Sequence, residues 1–352
     1  MKNKVFVFSF LIIIYGFMIV SIFDKNLEVS YNERRKLSVI PNFELSTKMS
    51  NKVETYLLDH FPLRDYFRKI KSVFNYNVLF KLENNDVYFK DNYVFKSMYP
   101  INKKSIDNYN KYLDNISSLL SSDNKLYVMI IPDKNYYLDD SDFLNIDYNY
   151  IYDNVGVNYN KIDVRDVLNL NDYYYTDTHW KQENLDKVIK EMSDKMNFDY
   201  EKINYKKNIY DKFYGIYYGE SLNNKPDILT YLTNDVITSS NVFYLENKKL
   251  TSVYNTSKLD GMDSYNVYLD GASSFIEIYN SKSSNQKELI IFRDSFGSSI
   301  SPLLINYYSK ITIIDNRYIS SNYFTDLVEF TNQDVLVMNS TLIINESFTL
   351  KN

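Results

Sequence analysis

Apolar residues first occur in this chain as an unbroken block, and only later as a repeating pattern. Lys2 and Lys4 precede an uncharged run from Val5 to Phe23. At about 1.5 Å per residue, a helix of this length reaches roughly 30 Å, enough to cross a bilayer core. A helix apolar on every side, at an extreme terminus and directly behind a basic stretch, predicts a membrane span rather than a buried soluble helix. No small-x-small cleavage pattern is evident before Asp24. Residues 1–24 are therefore expected to stay as a signal anchor, with the short basic end inside and the rest of the chain exported to the outer face of the cell membrane.

From about Lys48 to Phe80 the apolar spacing is helical, with a break at His60-Phe61-Pro62, because proline disfavours helical geometry in the residue before it. Asn84-Asn85-Asp86 signals a turn, and Val87-Tyr88-Phe89 and Tyr93-Val94-Phe95 flank Lys90-Asp91-Asn92 as the arms of a hairpin would. Residues 25–100 thus read as an N-terminal helical region ending in a hairpin. Beyond 101 helix and strand alternate. Ile106, Tyr109, Leu113, Ile116 and Leu120 make one helical face, and Leu126 to Ile131 is a continuous apolar run stopped by Pro132-Asp133, as in a buried parallel strand. A second amphipathic helix follows His179-Trp180, with Leu185, Val188, Ile189, Met192 and Met196 on one side.

Leu289 to Phe292, Ser298 to Tyr308 and Ile311 to Ile314 form a β-α-β unit, whose crossover implies a parallel sheet. Asp334 to Met338 adds another buried strand. The predicted class is α/β, with one domain over 101–352 built on a mostly parallel sheet. Its segment from about 200 to 285 is richer in Asn, Tyr, Ser and Lys, and reads as an insertion of loops and short strands bordering the site. A chain of 352 residues suits one such domain plus an N-terminal appendage.

Charge and composition narrow the function classes. The formal charge of -5 comes from interspersed acidic and basic residues, so no surface is built to neutralise phosphates, and nucleic acid is not an expected partner. Cysteine is absent, which removes disulfides, thiolate metal sites and a cysteine nucleophile together. One histidine beside scattered carboxylates shows no metal-ligand spacing, so neither metal nor cofactor is expected. The 36 tyrosines would follow from AT-rich coding alone, although a sugar-stacking aromatic surface would use them too.

With only two histidines, any histidine-dependent chemistry can be located. His60, in the bend of the helical region, suits capping or packing. His179 lies in Thr176-Asp177-Thr178-His179-Trp180, ahead of a helix. Residues i and i+2 of an extended or turn segment project to one side, so Asp177 can hold one imidazole nitrogen while the other faces a nucleophile. The same residues would equally suit a helix cap with packed aromatic neighbours. Phe292-Arg293-Asp294-Ser295-Phe296-Gly297 falls where a buried strand ends and a helix begins. Ser295 would then sit at the carboxyl edge of the sheet, facing the N–H groups of the following helical turn, or serve as an N-cap. Asp294 should point away into the turn, and Arg293 would pair with it or line the pocket. Gly215, Gly219, Lys134 and Asn339 are open choices for a second oxyanion donor, by position near strand ends or loops.

Asp177-Thr178-His179-Trp180 followed by Arg293-Asp294-Ser295-Phe296 resembles the AlgX/AlgJ family of alginate O-acetyltransferases and the related DHHW proteins. The likeness extends to Asn32-Glu33-Arg34-Arg35-Lys36-Leu37, Asn85-Asp86-Val87-Tyr88-Phe89, Ile131-Pro132-Asp133-Lys134-Asn135 and Phe213-Tyr214-Gly215-Ile216-Tyr217-Tyr218. Thr178 stands where DHHW proteins usually have histidine, and Arg293-Asp294 where many SGNH enzymes have Gly-Asp. The resemblance implies a three-layer, doubly wound, SGNH-hydrolase-like domain. It implies Ser295 as acyl-accepting nucleophile, His179 as general base and Asp177 as its orienter, with Arg293, Gly215, Lys134 and Trp180 as candidates around the substrate or oxyanion. It further implies transfer of an acyl group, acetyl by analogy, from a membrane-bound O-acyltransferase partner to a cell-surface polysaccharide. A carbohydrate acetylesterase with the same site, or a non-catalytic polysaccharide-binding protein, are the alternatives.

Overall fold

The buried runs assemble side by side into an eight-stranded sheet in the computed structural model, which describes residues 2–23, 27–138, 143–221, 225–284 and 286–351. Its strands are β1 (Lys125–Ile131), β2 (Asn160–Asp163), β3 (Asn241–Tyr244), β4 (Lys249–Thr251), β5 (Phe275–Tyr279), β6 (Glu288–Arg293), β7 (Lys310–Ile314) and β8 (Asp334–Ser340). The spatial order is β4-β3-β5-β7-β6-β8-β1-β2. From β7 to β2 every pairing is parallel, whereas β5, β3 and β4 extend the β7 edge in antiparallel fashion. The sheet is therefore mixed, mostly parallel, and of the α/β class.

Period-two alternation sends the two sides of each strand into different cores. Tyr127, Met129 and Ile131 of β1 enter one cluster with Leu289 and Ile291 of β6, the helix Asp186–Met196 and the helix Gly297–Leu304. Leu126, Val128 and Ile130 enter the other, with Ile290, Phe292 and the helix Lys103–Leu119. Burying one such Ile or Leu completely contributes about 1.5–3 kcal/mol, which is why these strands read as continuous apolar runs. The helix after β6 ends at Leu304, earlier than the apolar spacing suggests, and its last turn closes with the Tyr307 N–H donating to the Leu304 carbonyl. The segment 200–285 supplies the antiparallel ribbon Lys206–Phe213/Asp227–Thr233 and also three strands of the main sheet, β3, β4 and β5. Of these only β4 is at the sheet's edge, and strands of three to five residues offer few alternating positions, so Val242 to Tyr244 and Phe275 to Ile278 show only weak alternation in the sequence.

In the N-terminal part, the apolar run is one helix, Lys2–Phe23. It is long and apolar enough to cross a membrane by length and composition. The junction at Asp24, where cleavage would fall, lies outside the described residues. A small hairpin, Val29–Ser30 with Arg35–Lys36, comes next, followed by the helices Met49–Asp59 and Arg64–Asn77 on either side of the bend at Pro62. In the bend His60 Nε2 lies 2.8 Å from the Ser38 carbonyl and its ring packs on Tyr56, a packing role. The hairpin Val87–Lys90/Tyr93–Lys96 turns through Asp91 and Asn92, both at positive φ, as a two-residue turn of this kind requires.

Candidate active site

Ser295 leaves the carboxyl end of β6, a strand flanked on both sides by parallel neighbours, and it is half-buried there. The turn that carries it is stapled by Asp294. One carboxylate oxygen accepts the Phe296 N–H at 3.0 Å, and the other accepts the N–H and hydroxyl of Ser340, at the end of β8, each at 2.7 Å. Asp294 thus faces away from the serine and fixes its height above the sheet. The Ser295 side chain does not cap the following helix, whose N-cap position is Phe296 with no side-chain cap bond. Instead Ser295 Oγ lies 2.7 Å from His179 Nε2.

His179 sits on a loop that other segments grip from every side. Lys134 Nζ donates to the carbonyls of Tyr174, Tyr175 and Asp177 at 2.9–3.1 Å. The Asp227 carboxylate accepts the N–H groups of Tyr175 and Thr176 and the Thr176 hydroxyl at 2.6–2.7 Å. The Gly215 N–H donates to Thr176 Oγ1 at 2.8 Å, the Tyr217 N–H to the Thr176 carbonyl, and the Val94 N–H to the Tyr175 carbonyl. On this loop Asp177 Oδ1 accepts both the backbone N–H of His179 at 3.0 Å and its Nδ1–H at 2.5 Å. Nδ1 therefore carries the proton, and Nε2 is left to accept from the Ser295 hydroxyl. Tyr265 lies flat on the imidazole, with ring centres 3.9 Å apart and planes 9° from parallel, while its hydroxyl donates to Ser299 Oγ at 3.0 Å.

The far oxygen of Asp177 accepts the Ile216 N–H at 2.9 Å and lies 3.5 Å from Arg34 Nη2. Arg34 comes from the hairpin next to the N-terminal apolar helix. It also pairs with Asp263 at 3.0 Å and donates to the Tyr214 carbonyl. Burial alone would raise the Asp177 carboxyl; the neighbouring imidazole, its Nδ1–H bond and the Arg34 charge outweigh that and hold it well below the usual carboxylate range. Burial pushes Asp263 up, against the pull of Arg34.

Four residues expected around the substrate do other work. Burial pushes the Lys134 ammonium down to about 7, and its three hydrogens are committed to the three carbonyls of the loop. Gly215 commits its N–H to Thr176, and a Cβ there would meet the Thr176 backbone at 2.2 Å; its small size permits the loop to dock. Trp180 is fully buried, donating from Nε1 to Ser299 Oγ at 2.9 Å and the Phe296 carbonyl at 3.2 Å. Arg293 is buried beneath the next helix, where a Cβ on Gly297 would meet its side chain; its Nη1 donates to the Asp294 carbonyl at 3.3 Å and lies 3.6 Å from Asp315. Gly219 packs on Asn32, and Asn339 takes the Tyr109 hydroxyl.

The N–H groups expected to face an oxyanion are also committed. Phe296 donates to the Asp294 side chain, Gly297 to the Asp294 carbonyl and Ser298 to the Ser295 carbonyl. Among the described residues the Ser295 N–H has no protein acceptor, so it is the amide left for an anionic oxygen beside Oγ. Arg34 and Tyr265 were not singled out by sequence reasoning. Arg34 had one signal, the Asn32 to Leu37 motif, and Tyr265 had none. Among the described residues no group of three or more His, Asp or Glu could hold a metal ion.

No protein-family model and no curated protein sequence matches the chain. Its structure is similar to that of a DHHW family protein from Eubacterium siraeum, with a TM-score of 0.60 and 19% identity over 76% of this chain and 95% of that one. It is equally similar to Bacillus cereus PatB1 carrying a sulfonyl adduct, with a TM-score of 0.60 and 15% identity over 76% and 98%. The O-acetyltransferase domain of Pseudomonas putida AlgJ aligns at a TM-score of 0.41 and 11% identity, over 74% and 92%. At these identities the likeness to the first two is one of fold. A structural neighbour of one kind that the motifs resemble, a DHHW protein, is thus present.

Proposed function

We propose that this chain is an extracytoplasmic serine O-acyltransferase of the SGNH-hydrolase-like, three-layer, doubly wound design, with Ser295, His179 and Asp177 as catalytic residues. In this reading residues 1–24 are a signal anchor, 25–100 a membrane-proximal region and 101–352 the catalytic domain with its insertion at about 200–285. The observation that carries it is the unbroken relay from Ser295 Oγ to Nε2 (2.7 Å) and from Nδ1 to Asp177 (2.5 Å).

In the first half-reaction Ser295 Oγ attacks the carbonyl carbon of an acyl donor and its proton moves to Nε2. Asp177 stabilises the imidazolium, and the Ser295 N–H donates to the developing oxyanion. Collapse breaks the bond to the donor's leaving group, which takes the proton from Nε2, leaving an ester on Ser295. In the second half-reaction a hydroxyl of the acceptor gives its proton to Nε2 and attacks that ester. Ser295 then leaves and recovers the proton. By resemblance, the acyl group is acetyl, the donor side is a membrane-bound O-acyltransferase and the acceptor is a cell-surface polysaccharide. A groove of about 660 Å³, lined by Tyr99, Tyr217, Leu342 and Glu346 among others, would suit an extended acceptor.

The adduct on PatB1 makes a sulfonyl fluoride a fitting probe. The full chain should take up one sulfonyl group, located on Ser295 by peptide mass, and Ser295→Ala should take up none. With an acetyl donor and oligosaccharide acceptors, acetylated sugar is the expected product. Free acetate alone with every acceptor would mean an esterase. Surface acetylation unchanged in both Ser295→Ala and His179→Ala would mean a non-catalytic binding protein.

A further inference from the structure

The helix Arg64–Asn77 is built inside out. Leu63, Tyr66, Phe67, Ile70, Phe74 and Val78 recur at three- and four-residue spacing and all are exposed, from 41% for Phe67 to 65% for Tyr66. The opposite side is polar and faces the protein. Arg64 makes two bonds to Glu33 at 2.5 and 3.1 Å, Arg68 donates to the Gly219 carbonyl at 2.7 Å, and the Asn75 amide donates to Asn84 at 2.7 Å. Those bonds fix the rotation of the helix, so the apolar stripe cannot turn inward. Leu57, Leu58 and Phe61 of the preceding helix and bend extend the exposed apolar surface. A soluble protein rarely leaves so large a continuous patch open to water.

The occupant follows from what the patch joins. Phe61 and Phe67 pack on Phe17, with ring centres 5.3 and 5.8 Å apart, and Phe17 belongs to the N-terminal apolar helix. Phe17 lies about six residues before that helix ends, roughly 9 Å at 1.5 Å per residue, which matches the depth of about 5–10 Å at which interfacial helices bury their apolar face. Lys69 and Lys71 are exposed on the two flanks of the stripe, where their long stems can lift the charge to lipid phosphates. We infer that the bend and the helix Arg64–Asn77 lie in the outer surface of the lipid bilayer, apolar stripe downward. This inference rests on the anchor reading above.

The absence of cysteine allows the test to be made on the full chain in vesicles of equal parts phosphatidylglycerol and phosphatidylcholine. Single substitutions Ile13→Cys in the span, Ile70→Cys and Phe74→Cys in the stripe, and Lys111→Cys on the exposed side of the helix Lys103–Leu119, each carry an environment-sensitive fluorophore. Labels at 70 and 74 should lose about half their emission to nitroxide-bearing lipid and resist aqueous iodide, as a buried interfacial face would. The label at 111 should do the reverse. If 13 is quenched by lipid while 70 and 74 are quenched by iodide, the surface contact is wrong and the anchor stands. If 13 is not quenched by lipid, the anchor fails and the contact with it. Shielding of 70 and 74 from both quenchers would mean that protein covers the stripe, which also overturns the inference.

Discussion

Ile291, in the middle of β6, and Ile70, in the middle of the helix Arg64–Asn77, are the same residue in opposite surroundings: the first is fully buried and the second is 50% exposed. The contrast holds for their whole regions. Among the described residues, more large apolar side chains stand exposed between 27 and 82 than between 101 and 351, while Arg64, Arg68, Ser72 and Asn75 face inward. One region folds as a body in water does, and the other folds as though a second, apolar solvent lay beneath it. The two meet at Arg34, which leaves the hairpin after the N-terminal apolar helix to reach Asp177. In the proposed membrane-anchored reading, a boundary between two solvents would lie close to a site that handles a donor from one side and an acceptor from the other.

Substitutions at five positions test this contrast. The largest effect is expected for Ser295→Ala, which should lower turnover of an activated acetyl ester on the order of 10^4-fold or more without changing the thermal midpoint. Retained turnover would remove the catalytic role from the 101–351 region. Next, Ile291→Ala should cost about 2–5 kcal/mol in urea unfolding of the full chain in detergent, the ordinary result for a filled core. Lys134→Met should cost about 1–3 kcal/mol by the same assay, because three buried carbonyls lose their donor together. An unchanged midpoint would show that the loop does not depend on that clamp.

Arg34→Ala tests the bridge between the regions and is expected to lower kcat by roughly 10-fold, with KM little altered. The sign of the pH effect follows from the charge. Arg34 helps to keep Asp177 ionised, and a carboxylate lowered in the folded state contributes stability above its ordinary range that is lost as pH falls. Without Arg34 the Asp177 carboxyl rises toward its ordinary range, so on acidification the full chain should unfold at a higher pH; Arg34→Lys should move that acid midpoint less. An arginine with no hold on Asp177 would lower kcat with the acid midpoint in place. The smallest effect is expected for Ile70→Ala in detergent, within about 0.5 kcal/mol. A cost like that of Ile291→Ala would show that the stripe packs on protein.

Much of the sheet was legible because a strand buried on both faces has to be mostly apolar along its middle, as Leu126 to Ile131, Leu289 to Phe292, Ile311 to Ile314 and Val335 to Met338 are. The relay was legible for a different reason: Asp177, His179 and Ser295 lie in two short segments, and histidine is scarce enough to leave few candidates. What could not be read is which way a buried side chain turns. Trp180 and Arg293 lie within two residues of the reacting ones in sequence, yet both are buried. Arg34 meets a carbonyl 180 residues away, a proximity no local pattern encodes. Tyr265 is one of 36 tyrosines, and nothing in the residues around it marks it as the ring beneath the histidine.

Trp180 is the sole tryptophan of the chain, and it joins the histidine loop to the start of the helix after Ser295 through two bonds from one indole N–H. Its ultraviolet emission is therefore a native optical gauge of whether those two segments are docked. A dry indole emits to the blue of a wet one, so any condition that parts the loop from the helix should announce itself as a red shift, with no dye and no change to the protein.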